Sequence, residues 1–265
     1  MKILHYILFA IILFSACTKR IDIEPKEGDQ KVVIQGFLFN DSTCKVVVSK
    51  STGFLSKNKP PRISTATITL ADDAGNSESL IYDPIKELYE STTIVGVINR
   101  TYTLTVVLDG ETFTSVSLLP DLYKADSISP FFNAATIFQE EGWTVRFYGE
   151  DDPSKQDYYY IKGYANDSLL NSKTDIYVSD DKFLANNVNG IDLQFAYKSG
   201  DLARIDFFSI TREAFLFYNA ASLQLNSDGG FFSTPPANAP SNFNNGAVGL
   251  FQCSTLKPLI TQIPN

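Results

Sequence analysis

In two stretches of this chain threonine alternates with apolar residues, and that pattern constrains the fold more than any other feature. From Ser64 to Leu70, Ala66, Ile68 and Leu70 fall on one side and Thr65, Thr67 and Thr69 on the other. From Thr101 to Val106, Tyr102, Leu104 and Val106 alternate with Thr101, Thr103 and Thr105. A period of two sends successive side chains to opposite faces. β-Branched polar residues at every second position mark the wet face of a half-buried antiparallel strand. Val32 to Phe39 and Cys44 to Ser49 read as earlier strands, with turn chemistry at Asp72-Asp73-Ala74-Gly75-Asn76 and Asp109-Gly110. Residues 31–119 are therefore expected to form a β-sandwich, immunoglobulin-like or transthyretin-like.

Pro120 to Pro130 (PDLYKADSISP) breaks the alternation and reads as a linker. A second β-rich domain is expected over 131–265, with strands at Trp143 to Phe147, Asp157 to Ala165, Asp192 to Tyr197, Arg204 to Phe208 and Ala247 to Cys253. One helix is expected near its C-terminal end. Thr211 offers a capping hydroxyl, and Arg212 to Leu225 contains no Gly or Pro. Phe215, Phe217, Tyr218, Ala221 and Leu225 crowd most of that helix's circumference, which predicts good cover all round. Asp228-Gly229-Gly230 is expected to end it, and the proline- and asparagine-rich Ser233 to Asn245 to be irregular.

The N-terminus carries an address. Lys2 precedes an apolar run, Ile3 to Phe14, broken only by His5 and Tyr6. A membrane-spanning helix needs about 20 residues, so this shorter run reads as a secretory signal over 1–16. Leu13-Phe14-Ser15-Ala16-Cys17 resembles a bacterial lipobox, which implies that Cys17 is lipidated and becomes the new N-terminus. Residues 17–30, polar and without periodicity, read as a tether.

Loss of that signal removes the only histidine, His5, and the only methionine, Met1. Without imidazole, Ser-His-Asp and Cys-His catalysis and His-ligated metals or haem are excluded. No cofactor and no metal are implied. The net charge of −8 argues against nucleic acid, whose phosphates require Lys and Arg. Cys44 and Cys253 are either a disulfide or, the favoured reading, two separate buried thiols.

Three constellations are candidates for chemistry. The acidic groups Glu140-Glu141, Glu150-Asp151-Asp152 and Asp180-Asp181 suit Ca²⁺ or a glycosidase pair, against an ordinary role as solvated surface. Among the aromatics, alternation places Tyr158, Tyr160 and Tyr164 on one strand face. With Phe131-Phe132 and Phe231-Phe232, they are either core or a ligand or partner surface. Asp41-Ser42-Thr43, Asp126-Ser127-Ile128 and Asp167-Ser168-Leu169 resemble the O-glycosylation sequon of exported Bacteroidota proteins, with Ser42, Ser127 and Ser168 as acceptors.

Ser227 to Ser254 (SDGGFFSTPPANAPSNFNNGAVGLFQCS), with its Pro-Pro, Ser-Asn and Asn-Gly-Ala-Val-Gly-Leu-Phe, resembles the Bacteroidota lipoproteins grouped as domain of unknown function 4249. Val32 to Asn40, Ala66 to Gly75, Arg100 to Pro120 and Trp143 to Tyr164 support the likeness. The resemblance implies no catalytic residues. It implies an outer-membrane lipoprotein, non-enzymatic, that is an accessory to a TonB-dependent transporter, in ligand capture or as a scaffold. The candidate surface is then Tyr158, Tyr160, Tyr164, Phe231, Phe232, Asn242 and Asn244. The competing expectations are a structural or adhesive surface protein and a carboxylate-based hydrolase.

Overall fold

The computed structural model describes residues 29–53, 56, 58–122, 124–135, 141–150, 152, 154–172, 175–182, 187–227 and 238–265. Eight strands occupy the first part: β1 (Val32–Phe39), β2 (Thr43–Lys50), β3 (Thr67–Asp72), β4 (Ser77–Ser79), β5 (Ile81–Asp83), β6 (Leu88–Val95), β7 (Thr101–Leu108) and β8 (Glu111–Leu118). Then follow β9 (Lys124–Asn133), β10 (Gly142–Glu150), β11 (Tyr158–Ala165), β12 (Ser168–Leu169), β13 (Tyr177–Asp180), β14 (Asn187–Tyr197) and β15 (Leu202–Ile210). Helix α1 (Arg212–Leu225) and strand β16 (Val248–Gln262) close the chain. The protein is mostly β with one helix near its end among the described residues, as expected.

The strands form a nine-stranded sheet, β12-β11-β15-β16-β1-β2-β6-β5 with β13 also on β11. A four-stranded sheet, β4-β3-β7-β8, and a three-stranded sheet, β14-β10-β9, complete the set. Both sequence alternations are realised in the first sandwich. Ile68, Leu70, Tyr102, Leu104 and Val106 are buried, and they pack with Ile34, Leu38, Val46 and Phe113 into one core. In a second core, Ala203, Ile205 and Phe207 of β15 meet Val145 and Phe147 of β10. A third cluster, Phe208, Ile210, Ala214 and Leu250, lies under α1.

Strand β16 joins the two sandwiches. Its first half runs parallel to β1, from Val33↔Val248 to Phe39↔Ser254. Its second half runs antiparallel to β15, from Ser209↔Thr255 to Leu202↔Gln262. Fifteen residues at about 3.3 Å each reach roughly 50 Å, long enough to serve both. Phe251 and Cys253 thus complete the first core, and Leu259, with Ile263 just past the strand's end, the second. The two expected halves do have separate cores, but they share this strand, so the first is not built from residues 31–119 alone.

The expected linker is also corrected: 124–130 belongs to β9. Its buried positions, Ala125 and Ile128, stand three apart because the pairing with β10 slips between Tyr148 and Gly149. A bulge of this kind breaks the period of two. Pro130 is tolerated because β9 is an edge strand.

Helix α1 has the expected bounds, with the Thr211 hydroxyl accepting from the Ala214 N–H at 3.3 Å. Its cover is less complete than expected. Only one stripe, including Ala214, Phe215 and Tyr218, docks on the sheet, while Leu223 and Leu225 are 61% and 50% exposed. Cys44 and Cys253 are free thiols. Leu38 pairs with Cys253 on one side, and the β1–β2 register, which runs to Phe37↔Lys45, sets Cys44 opposite Leu38 on the other when continued by one residue. Two strand spacings, about 9.5 Å, exceed the roughly 7 Å that a disulfide tolerates.

Candidate functional site

Tyr158, Tyr160 and Tyr164 share one face of β11, but the first two do not form an open platform. Helix α1 lies over them. Phe215 packs on Tyr158 at 5.1 Å between centroids, and Tyr218 stacks on Tyr160 at 4.7 Å and 15°. The Tyr218 hydroxyl donates to Gln252 Oε1 at 2.7 Å. Burial pushes the Tyr160 and Tyr218 phenols up. A run of tyrosines on a sheet face needs a lid, and the helix provides it.

Past the helix the same face turns ionic. The Arg204 guanidinium lies 4.0 Å from the Tyr164 ring centre and reaches Asp167 at 2.7 Å and Asp206 at 3.2 Å. The Lys162 ammonium sits 5.3 Å from the Tyr160 ring and 5.5 Å from that of Phe208. Burial raises the Asp206 carboxyl, with Arg204 and Lys162 opposing. Burial lowers Lys162, with Asp206 opposing. Arg204 thus engages both carboxylates and the Tyr164 ring, while Lys162 lies over two rings, so this face is a network of ions and aromatic rings.

Asn242 and Asn244 are clamps. The Asn242 side chain accepts from Phe251 N–H at 2.9 Å and donates to Phe251 C=O at 2.7 Å. Asn244 takes the Thr114 N–H on its side-chain oxygen at 2.7 Å, and its own N–H meets Thr114 C=O at 3.1 Å. Both asparagines bind backbone. Cys17, Phe231, Phe232, Glu140 and Asp151 lie outside the described residues. Of the three serines, Ser127 and Ser168 are exposed. Ser42 is half-buried and donates to Phe39 C=O at 3.1 Å. The acidic groups serve local structure: Asp181 accepts from Asp157 N–H at 2.7 Å, and Glu150 pairs with Lys124 at 3.0 Å. Among the described residues no group of three or more His, Cys, Asp or Glu is placed to hold a metal ion.

A cleft opens instead on the opposite face of β11, between the two layers of the second sandwich. Its volume is about 310 Å³. Phe147 and Phe207 face each other from opposite sheets, 5.0 Å apart and 4° from parallel, and Tyr159 tilts onto Phe207 at 5.0 Å. Nearer solvent, Tyr177 of β13 meets Phe195 of β14 edge to face at 5.2 Å. Ser179, Asp192 and Gln194 supply polar atoms to the lining. Asp192 is paired with Arg146 at 2.5 Å, and the guanidinium carbon of Arg146 lies 3.3 Å from the Phe131 ring centre. Gly163 makes room for this arrangement: a Cβ there would come within 2.5 Å of the Phe195 ring.

None of these residues stands out in sequence: Phe147, Tyr159, Phe195 and Phe207 are ordinary inward positions of their strands, and Asp192 and Gln194 alternate with Leu193 and Phe195 on the exposed side of β14. The available signal was the alternation Trp143-Val145-Phe147, which marks an inward face without showing that the layers part there.

A family model described as Domain of unknown function (DUF4249) matches residues 18–257. The chain belongs to the DUF4249 family. No curated protein matches it. The cleft, the helix and the tyrosine face of this DUF4249 protein all fall within the matched residues.

Proposed function

We propose that this protein is an exported, lipid-anchored accessory that captures a ligand for a TonB-dependent transporter of the outer membrane. The observation that carries the capture half is the aromatic-lined cleft. Ligand sites are typically concave, mostly apolar and equipped with a few polar groups, and the cleft has that composition. The address rests on Lys2, the apolar run to Phe14 and the lipobox ending at Cys17. No described helix is long and apolar enough to cross a membrane. One acyl chain gives only marginal anchoring and two hold stably, so a multiply acylated Cys17 is the tether this reading needs. The catalytic alternative is disfavoured by a chain whose only imidazole, His5, lies in the proposed signal.

The test is purification from detergent-solubilised outer membranes under mild conditions. A β-barrel transporter should accompany the protein, and Cys17→Ser should abolish acylation and membrane fractionation. Reproducible recovery of the acylated protein alone would overturn the partnership. An unacylated native protein would overturn the anchor.

A further inference from the structure

We infer that the interlayer cleft of the second sandwich binds a neutral, flat, predominantly apolar small molecule of two or three fused rings. The inference rests on the ligand-capture reading and gives it a chemical class. Two aromatic pairs bridge the layers, a buried parallel one, Phe147 and Phe207, and a more exposed edge-to-face one, Tyr177 and Phe195. Both pairs are closed contacts, 5.0 and 5.2 Å between centroids, so a guest lies beside them in the gap between the layers, where flat walls and ring edges favour a planar guest over a branched or bulky one. The volume of about 310 Å³ lies at the small end of ligand pockets.

Charge narrows the class. Among the described lining residues there is no Lys or Arg. The one ionised group there, Asp192, already holds Arg146. A carboxylate or phosphate would enter without a counter-charge, and burying an unpaired charge is costly. A sugar would bring many hydroxyls to a wall mostly of Phe, Tyr, Ile and Leu and leave them unmatched. Ser179, on the same face of β13 as Tyr177, suffices for one polar end.

The test uses the full chain carrying Cys17→Ser, so that no acyl group competes for the probe. 2-Naphthylmethanol, decanoate and maltotriose are titrated by calorimetry. Saturable one-to-one binding of the naphthyl probe alone is expected. Ser179→Trp and Ile191→Trp, which place bulk at the lips of the cleft, should each weaken it about tenfold or more. Val116→Trp, on the first sandwich, should leave it unchanged. Far-ultraviolet circular dichroism checks that the variants are folded. Absence of saturable naphthyl binding, or binding indifferent to both lip variants, would overturn the inference. Decanoate or maltotriose bound in its place would overturn the ligand class and leave ligand capture standing. A transporter that fails to co-purify would sink the partnership alone.

Discussion

Glu78 is the residue on which the first sandwich closes at its side. It stands on β4, in the four-stranded sheet, and its carboxylate reaches β6 in the other layer. There the β2–β6 pairing slips between Thr43↔Val95 and Lys45↔Glu90, so the β6 N–H groups in between lack a ladder. The carboxylate accepts from the N–H of Thr92, from the N–H and hydroxyl of Thr93, at 3.0 and 2.6 Å, and from Ile94 N–H at 2.7 Å. Burial alone would raise this acid, but the bonds to its charged form win and hold it at about 2. A depressed carboxyl adds stability above its unfolded value of about 4.3, and loses it as pH falls toward 2. Glu78→Gln should therefore cost about 1–2 kcal/mol at pH 7, allowing for solvent screening, and flatten the acid limb below pH ~4.5. Urea denaturation at pH 7 and at pH 3 checks it; an unchanged acid limb would refute the assignment. The core residues around Glu78 were legible, since Ile68, Leu70, Leu104 and Val106 alternate. Glu78 was not, because Ser-Glu-Ser is too short and polar to carry a period.

At the level of the element, β16 poses an accounting problem that side chains solve. Along 248–254 it has β1 on one edge, while β15 begins only at Thr255 on the other. The outward backbone groups of Phe251 meet the Asn242 amide, and Cys253 N–H meets the Ser117 hydroxyl at 3.0 Å. Asn242 thus stands in for a missing strand. Asn242→Ala would orphan a buried donor and a buried acceptor and should cost about 2–3 kcal/mol. Asn244→Ala, at an exposed edge where water can replace the bond to Thr114 N–H, should cost under about 1 kcal/mol. Chemical denaturation of the two variants side by side measures the ordering, and equal costs would contradict it. Helix α1 was legible from its cap and composition, because helix signals are local. The role of Asn242 was not, because an asparagine-rich loop looks the same whether its amides bind ligand, water or backbone. The same blindness kept the cleft from view: inward aromatics mark a core, and only the spacing of two sheets makes a gap.

Across the whole molecule, the shared strand decides how the protein unfolds. A chain of this length with a separate core in each of two sandwiches would ordinarily be expected to divide into units that fold alone. Here the first core takes Phe243, Ala247, Phe251 and Cys253 from the far end of the chain, and β1 has its parallel neighbour only in β16. The run Val248 to Cys253 announced a buried strand, yet nothing in its pattern names a partner more than two hundred residues away. Fragment 29–121 would lack that partner. It would expose β1 as an edge and leave Ile34, Leu38 and Leu104 beside a hole where the Phe251 ring had been, since Gly36 closely faces that ring. Cavities and bare apolar edges of that kind are what marginal folds do not survive. The fragment should therefore fail to fold, whereas the whole chain should unfold in one transition. Trp143, the only tryptophan, reports on the second sandwich, while far-ultraviolet circular dichroism reports on all strands. The two urea curves should coincide. A cooperatively folded fragment, or a fluorescence midpoint separated from the dichroism midpoint, would mean that β16 merely touches the first sandwich instead of completing it.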